Sequence, residues 1–124
     1  MSVWVFLAAA LAGGVGAGLR YVVDVLVVAG KPGRFPLGIL IVNITGSFAL
    51  GVLTGLGASL VGGATVWIVG VGLLGGYTTF STVSLESVLL VRSGEARRGW
   101  MNAVGTLVLG VAAAAAGLAI GLLF

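Results

Sequence analysis

The sequence predicts an all-α membrane protein with four transmembrane helices, the third broken at its centre. Three observations predict it. Of 124 residues, 60% are hydrophobic and only 7% are charged, and the mean hydropathy is +1.28. A soluble domain of this size cannot bury so much apolar surface, so the surrounding solvent is lipid. Second, charge-free runs cover Met1–Leu19, Phe35–Leu85 and Gly99–Phe124, and a spanning helix needs roughly 20 such residues. Third, the apolar segment from Ala64 to Val91 is interrupted near its middle by Gly75-Gly76-Tyr77-Thr78-Thr79-Phe80-Ser81-Thr82. Adjacent glycines weaken a helix by about 1 kcal/mol each, and Ser and Thr hydroxyls offer the backbone local alternatives.

The long middle run holds two spans and divides between Gly57 and Ala64, around Gly62-Gly63. The expected helices are about Val3–Val23, Pro36–Ala58, Ala64–Val91 and Trp100–Leu123, in one four-helix unit over residues 1–124. The N-terminus, Met1-Ser2-Val3-Trp4, lacks the basic region of a signal peptide, so the first helix is expected to be retained. Cysteine and histidine are absent, which excludes disulfides, thiolate and imidazole catalysis and the usual transition-metal sites. The formal charge of +3 fits cytoplasmic loops of a membrane protein and does not point to nucleic acid.

In helix 1, Ala10, Gly14 and Gly18 recur every fourth residue, a stripe that predicts close helix packing. Arg20 and Asp24 follow on one face and are placed to pair. Arg20 can snorkel to the interface, and an arginine there can draw anions into a vestibule. The stretch Gly30–Pro36 reads as a turn, with Pro36 suited to a helix start. In helix 2, Asn43, Ser47, Gly51, Gly55 and Ser59 form a polar-to-small stripe. A membrane asparagine costs free energy unless its amide finds partners. Those partners are either a neighbouring helix or a passing anion.

In helix 3, Phe80 and Val83 share a face beyond the interruption, and Glu86 follows towards the helix end. Glu86 is placed either to bond nearby hydroxyls or to reach the interface. The loop Arg92–Gly99 is short and basic, and Trp100 marks an interfacial start to helix 4. There Asn102, Thr106 and Gly110 form a second polar-to-small stripe, and Ala113, Gly117 and Gly121 a small one. Asn43-Ile44-Thr45 fits a glycosylation sequon and Gly70–Gly75 fits GxGxxG, but both lie inside spans and carry no such function.

No carboxylate lies deep in a span, which counts against proton-coupled transport. The absence of a nucleophile–base pair argues against an enzyme. What lies deep is neutral: Asn43, Thr78, Thr79, Ser81, Thr82, Thr106 and the ring of Phe80. Neutral donors and the positive edge of an aromatic ring suit a small anion that must bind and also leave. Main-chain carbonyls at a helix break suit a hard cation such as Na⁺. One short break supplies only two or three oxygens, so a complete cage requires a second copy.

These residues resemble the Fluc fluoride channels, also called the CrcB type. The match lies in Gly72-Leu73-Leu74-Gly75-Gly76-Tyr77-Thr78-Thr79-Phe80-Ser81-Thr82, against that family's GxLGGxTTFSTF core. It is supported by Val42–Phe48 in helix 2 and Gly18-Leu19-Arg20-Tyr21 in helix 1, and the length and four spans agree over the whole chain. The resemblance implies an antiparallel dimer of four-helix subunits in the inner (plasma) membrane, passively exporting fluoride to limit toxicity. It implies a structural, non-transported Na⁺ held by the carbonyls of Gly75 and Thr78 from both subunits. Asn43 and Phe80 match pore positions, and Ser81, Thr82 and Thr106 match a hydroxyl track beside them. The family's second phenylalanine is Val83 here, and a valine has no ring edge to offer fluoride.

Two other readings fit parts of the chain. A non-conducting or partly conducting partner subunit of a heterodimeric channel is kept open by Val83. A small multidrug antiporter shares the size and topology, but needs a membrane glutamate in helix 1 that Met1–Leu19 lacks. Charge bears on the partner. Lys31 and Arg34 in the first loop, Arg20 beside it, and Arg92, Arg97 and Arg98 in the third all fall on one side of a four-span chain. Short basic loops stay cytoplasmic, so one orientation is expected, with both termini outside. The antiparallel partner is then expected to be a homologous chain of opposite bias; the alternative is that the bias is tolerated and this chain inserts both ways.

Overall fold

The computed structural model describes residues 1–28 and 35–124. Most of the turn expected over Gly30–Pro36, with Lys31 and Arg34, lies outside them. The described residues form helices throughout, and four stretches are long and apolar enough to cross a membrane: Val3–Val27, Leu37–Val61, Gly63–Arg92 and Ala96–Gly121. α1 is Val3–Val28 and α2 is Leu37–Val61. The third span is composite: α3 (Gly63–Thr65) runs into a π-helical segment, Val66–Leu74, then α4 (Gly75–Tyr77), a break, and α5 (Ser81–Arg92). α6 is Ala96–Gly121.

α2 and the third span separate at Gly62, whose φ of 83° and ψ of 140° suit a residue without Cβ. Gly57 bends α2 in the same way, at φ 73°. This bend falls at the start of the stretch expected to divide the two spans, although the helix itself runs on to Val61.

Few side chains are buried. Val42, Ile39, Leu53 and Val83 form the apolar core, while Leu11, Leu26, Leu107 and many like them face outward. In lipid that exposure costs nothing, and helices associate through close van der Waals packing instead. Glycine supplies it. Cβ atoms built at Gly51 and Gly55 would run into the main chain of Ala114, Leu118 and Gly121, and at Gly117 into that of Phe48 and Val52. So α2 and α6 touch backbone to backbone.

α1 meets the third span in the same way, but not through the expected stripe. The faces in contact are Gly13 and Gly16 on α1, against Gly72, Leu73, Gly76 and Tyr77. Gly14 and Gly18 have nothing within 4 Å. The expected four-residue stripe is therefore not the packing face within the subunit: a second small-residue row overlaps it along α1, and the third span packs on that one. Arg20 and Asp24 also differ from expectation. No ion pair joins them among the described residues, and Asp24 instead abuts Gly38 at the start of α2. Glu95 and Arg98 form a surface pair at 3.5 Å.

The break falls within the expected Gly75–Thr82 stretch, in its hydroxyl half. Gly75 and Gly76 stay helical, and the chain first extends at Thr78, with φ −77° and ψ 159°. Gly76 serves close approach to α1 rather than the break, because it lies against the main chain of Gly13. The π-helical turns before it have no counterpart in the sequence reading. There the Gly75 N–H reaches back to the Gly70 carbonyl, five residues away.

Candidate functional site

The break strands main-chain polar groups at membrane depth, and each must find a partner. Thr78 ends the upstream helix: its N–H and its hydroxyl both donate to the Leu74 carbonyl, each at 3.0 Å. Thr79 follows in no helical register. Its N–H donates to Asn43 Oδ1 at 2.8 Å, and its carbonyl accepts from Asn43 Nδ2 at 3.0 Å. The side-chain amide of α2 thus replaces the helical partners that the break removes. Asn43 and Thr79 are both buried, so this clasp works where water cannot substitute.

Two consequences follow. The Gly75 carbonyl loses the donor that a continuous helix would give it, since the Thr79 N–H has turned to Asn43. And Nδ2 retains a second proton, on a side chain that lines the adjoining groove.

Thr79 also starts the downstream helix. Its hydroxyl accepts from the Thr82 N–H at 3.2 Å, an N-cap bond, and Phe80 already has helical dihedrals. The Ser81 and Thr82 hydroxyls lie 3.2 and 3.1 Å from the Thr79 hydroxyl. Three hydroxyls therefore gather at the N-terminal end of α5, where the helix dipole favours negative charge.

Beside the break runs an open groove of about 510 Å³. Asn43 and Ser47 of α2, Gly75, Thr78 and Thr79 at the break, Phe80 and Val83, and Thr106 of α6 all line it. Phe80 projects outward with 85% of its surface exposed, while Val83 is buried. The structure thus brings Asn43, Gly75, Thr78, Phe80, Val83 and Thr106 to one wall. Ser81 and Thr82 sit beside the groove, not in its lining. Arg20 and Glu86 do not line it either: both are half-buried, on α1 and α5. One Glu86 carboxylate oxygen is buried with no partner among the described residues.

Thr79 is the residue that the sequence reading undervalued. It was counted among the deep neutral groups without a role, although a threonine three residues before a helical N–H is a capping signal. Ser47 was legible as the second member of the Asn43 stripe. No cluster of three or more His, Cys, Asp or Glu side chains capable of holding a metal exists among the described residues. A cation here would therefore rest on carbonyl and hydroxyl oxygens.

The family described as "CrcB-like protein, Camphor Resistance (CrcB)" matches residues 7–118. The chain belongs to the CrcB family. A relative from Leifsonia xyli subsp. xyli, named "Fluoride-specific ion channel FluC 1", is 43% identical over 98% of this chain and 89% of its own length. "Fluoride-specific ion channel FluC" of Nitrobacter winogradskyi is 40% identical over 94% of this chain and 95% of its own. That of Shewanella woodyi is 45% identical over 81% and 82%. The CrcB match spans all four helices, and with the apolar spans it makes the chain a multi-pass membrane protein.

Proposed function

We propose that this chain is a subunit of a fluoride-specific channel that lets fluoride leave the cell passively. The observation that carries the reading is the Asn43–Thr79 clasp: it holds a helix open at membrane depth beside a groove of neutral donors, in a chain whose relatives bear that channel's name. Neutral donors bind a small anion without trapping it. The second Nδ2 proton of Asn43, the hydroxyl of Thr106 and the ring edge of Phe80 would meet fluoride in turn. Ser81 and Thr82, at the start of α5, extend the hydroxyl surface, and Arg20 and Glu86 stand towards the vestibules. Val83 supplies only an apolar wall.

The groove is open on one side and Phe80 reaches out of it, which supports a second subunit closing it. An antiparallel pair would set two breaks face to face. The Gly75 carbonyl, freed from its helical donor, and the Thr78 carbonyl could then hold a structural Na⁺ with their counterparts. Such an ion neutralises converging carbonyl dipoles and pins the subunits together. The one-sided placement of Arg20, Lys31, Arg34, Arg92, Arg97 and Arg98 favours a homologous partner of opposite orientation, in the inner membrane, with both termini of this chain outside.

The test is fluoride efflux from liposomes with the membrane potential clamped and no pH gradient. Fluoride should leave. A requirement for a pH gradient would instead favour an antiporter.

A further inference from the structure

Asn43 holds the broken span on the downstream side of Thr78, through Thr79. A second side chain of α2 holds it on the upstream side. The Tyr77 hydroxyl lies 3.1 Å from that of Thr45, and Tyr77 is the last residue of α4. The direction of this bond follows from the proton count. Thr45 Oγ1 lies 2.7 Å from the Ile41 carbonyl and 3.2 Å from that of Val42. Carbonyls only accept, so the one Thr45 proton is used within its own helix. Tyr77 is therefore the donor and Thr45 the acceptor.

Gly46 makes the approach possible. A Cβ there would run into the Thr78 methyl and come 3.1 Å from Cδ1 of the Tyr77 ring. The ring thus lies against bare main chain, with its hydroxyl reaching Thr45. From α1, Gly13 backs Gly76, and a Cβ at Gly16 would come 2.8 Å from the Tyr77 nitrogen. The three residues of α4 are so held by two helices. Asn43, Thr45 and Gly46 belong to one turn of α2, and their contacts bracket Thr78, where the chain extends. Thr45 is exposed. Where that surface faces lipid, no water replaces a lost partner.

We propose that Tyr77 is a positioning residue: by donating to Thr45 it fixes the Gly75 and Thr78 carbonyls in the orientation that a cation shared with the partner subunit requires. Its hydroxyl touches no ion. The inference rests on the cation reading above, and adds the side chain that holds the two oxygens in place beforehand. Tyr77→Phe keeps the ring on Gly46 and removes only the tether. A cation must then order what the tether had ordered, and its affinity falls. Asn43, Phe80 and Thr106 keep their places, so the fluoride route itself is unchanged once the cation site is filled.

The experiment titrates sodium against a bulky organic cation at constant ionic strength. It uses the native assembly and the variants Tyr77→Phe, Thr45→Val, their double and Thr45→Ser. Two readouts are followed: the rise in melting temperature in detergent, which needs no transport, and fluoride efflux from liposomes. Tyr77→Phe and Thr45→Val should each raise the midpoint sodium concentration about two- to tenfold, the scale of one hydrogen bond. Flux at saturating sodium should stay at the native level. The double variant should match the worse single, and Thr45→Ser, which keeps the acceptor, should match the native assembly. If Thr45→Val does not assemble, Tyr77→Phe alone decides. An unchanged midpoint in Tyr77→Phe, shifts that multiply in the double, or flux lost even at saturating sodium would overturn the proposal and leave the cation reading standing. A native assembly whose melting and flux both ignore sodium would overturn the two together.

Discussion

Replacing Asn43 with leucine tests the clasp directly. The change is close to isosteric, so little volume is lost, but both of its hydrogen bonds to Thr79 vanish, at 2.8 and 3.0 Å. The Thr79 N–H and carbonyl remain at a residue only 8% exposed. An unsatisfied buried polar group costs about 1–3 kcal/mol, so two groups should cost about 2–6 kcal/mol. Asn43→Asp divides the effect. Its carboxylate still accepts from the Thr79 N–H, but its second oxygen faces the Thr79 carbonyl at the position of a 3.0 Å bond. The unpaired carbonyl should cost about 1–3 kcal/mol, and the buried carboxylate adds its own desolvation cost. Fluoride flux should nevertheless fall strongly, because a carboxylate beside an anion path repels its cargo. Melting in detergent and fluoride efflux on the same preparations separate the two effects. An Asn43→Leu protein within about 0.5 kcal/mol of the parent, or an Asn43→Asp protein that conducts normally, would refute the reasoning.

Three further predictions concern packing, the cation and orientation. A Cβ at Gly76 would lie 2.8–2.9 Å from the Gly13 main chain. Gly76→Ala should therefore cost about 1–3 kcal/mol, while Gly14→Ala and Gly18→Ala, which meet nothing within 4 Å, should leave the melting of the isolated subunit unchanged. Thr78→Ala should be mild, because the Thr78 hydroxyl only duplicates a main-chain bond to Leu74, and the proposed Na⁺ is held by main-chain oxygens. Replacing sodium by a bulky organic cation should lower flux, and intact flux in a well-folded dimer would remove the cation from the account. For orientation, a reporter fused at Phe124 should be active when it requires the periplasm and silent when it requires the cytoplasm. Equal signals would show that the charge bias is tolerated.

Much of this was legible because lipid simplifies the code. Charge-free length marks the spans, and the hydroxyl run after Gly76 marks where one span bends. The Asn43 stripe was visible because a membrane asparagine has few uses. What escaped was register. In α1 two small-residue rows overlap, and only the neighbour's shape chooses Gly13 and Gly16 over Gly14 and Gly18. At the break, glycine weakens a helix but does not end it. The end falls at Thr78 because Asn43 captures the Thr79 amide from another helix, a contact 36 residues distant in sequence. The π-helical turns likewise have no marker in the local sequence.

On the proposed function, the broken third span opens a route for fluoride. The most direct measurement isolates this chain from its native membrane with whatever subunit accompanies it. The assembly is reconstituted into liposomes holding equal fluoride and chloride, with the potential clamped. Rapid loss of fluoride with chloride retained is expected. Retention of both ions, or loss of both at the same rate, would contradict it.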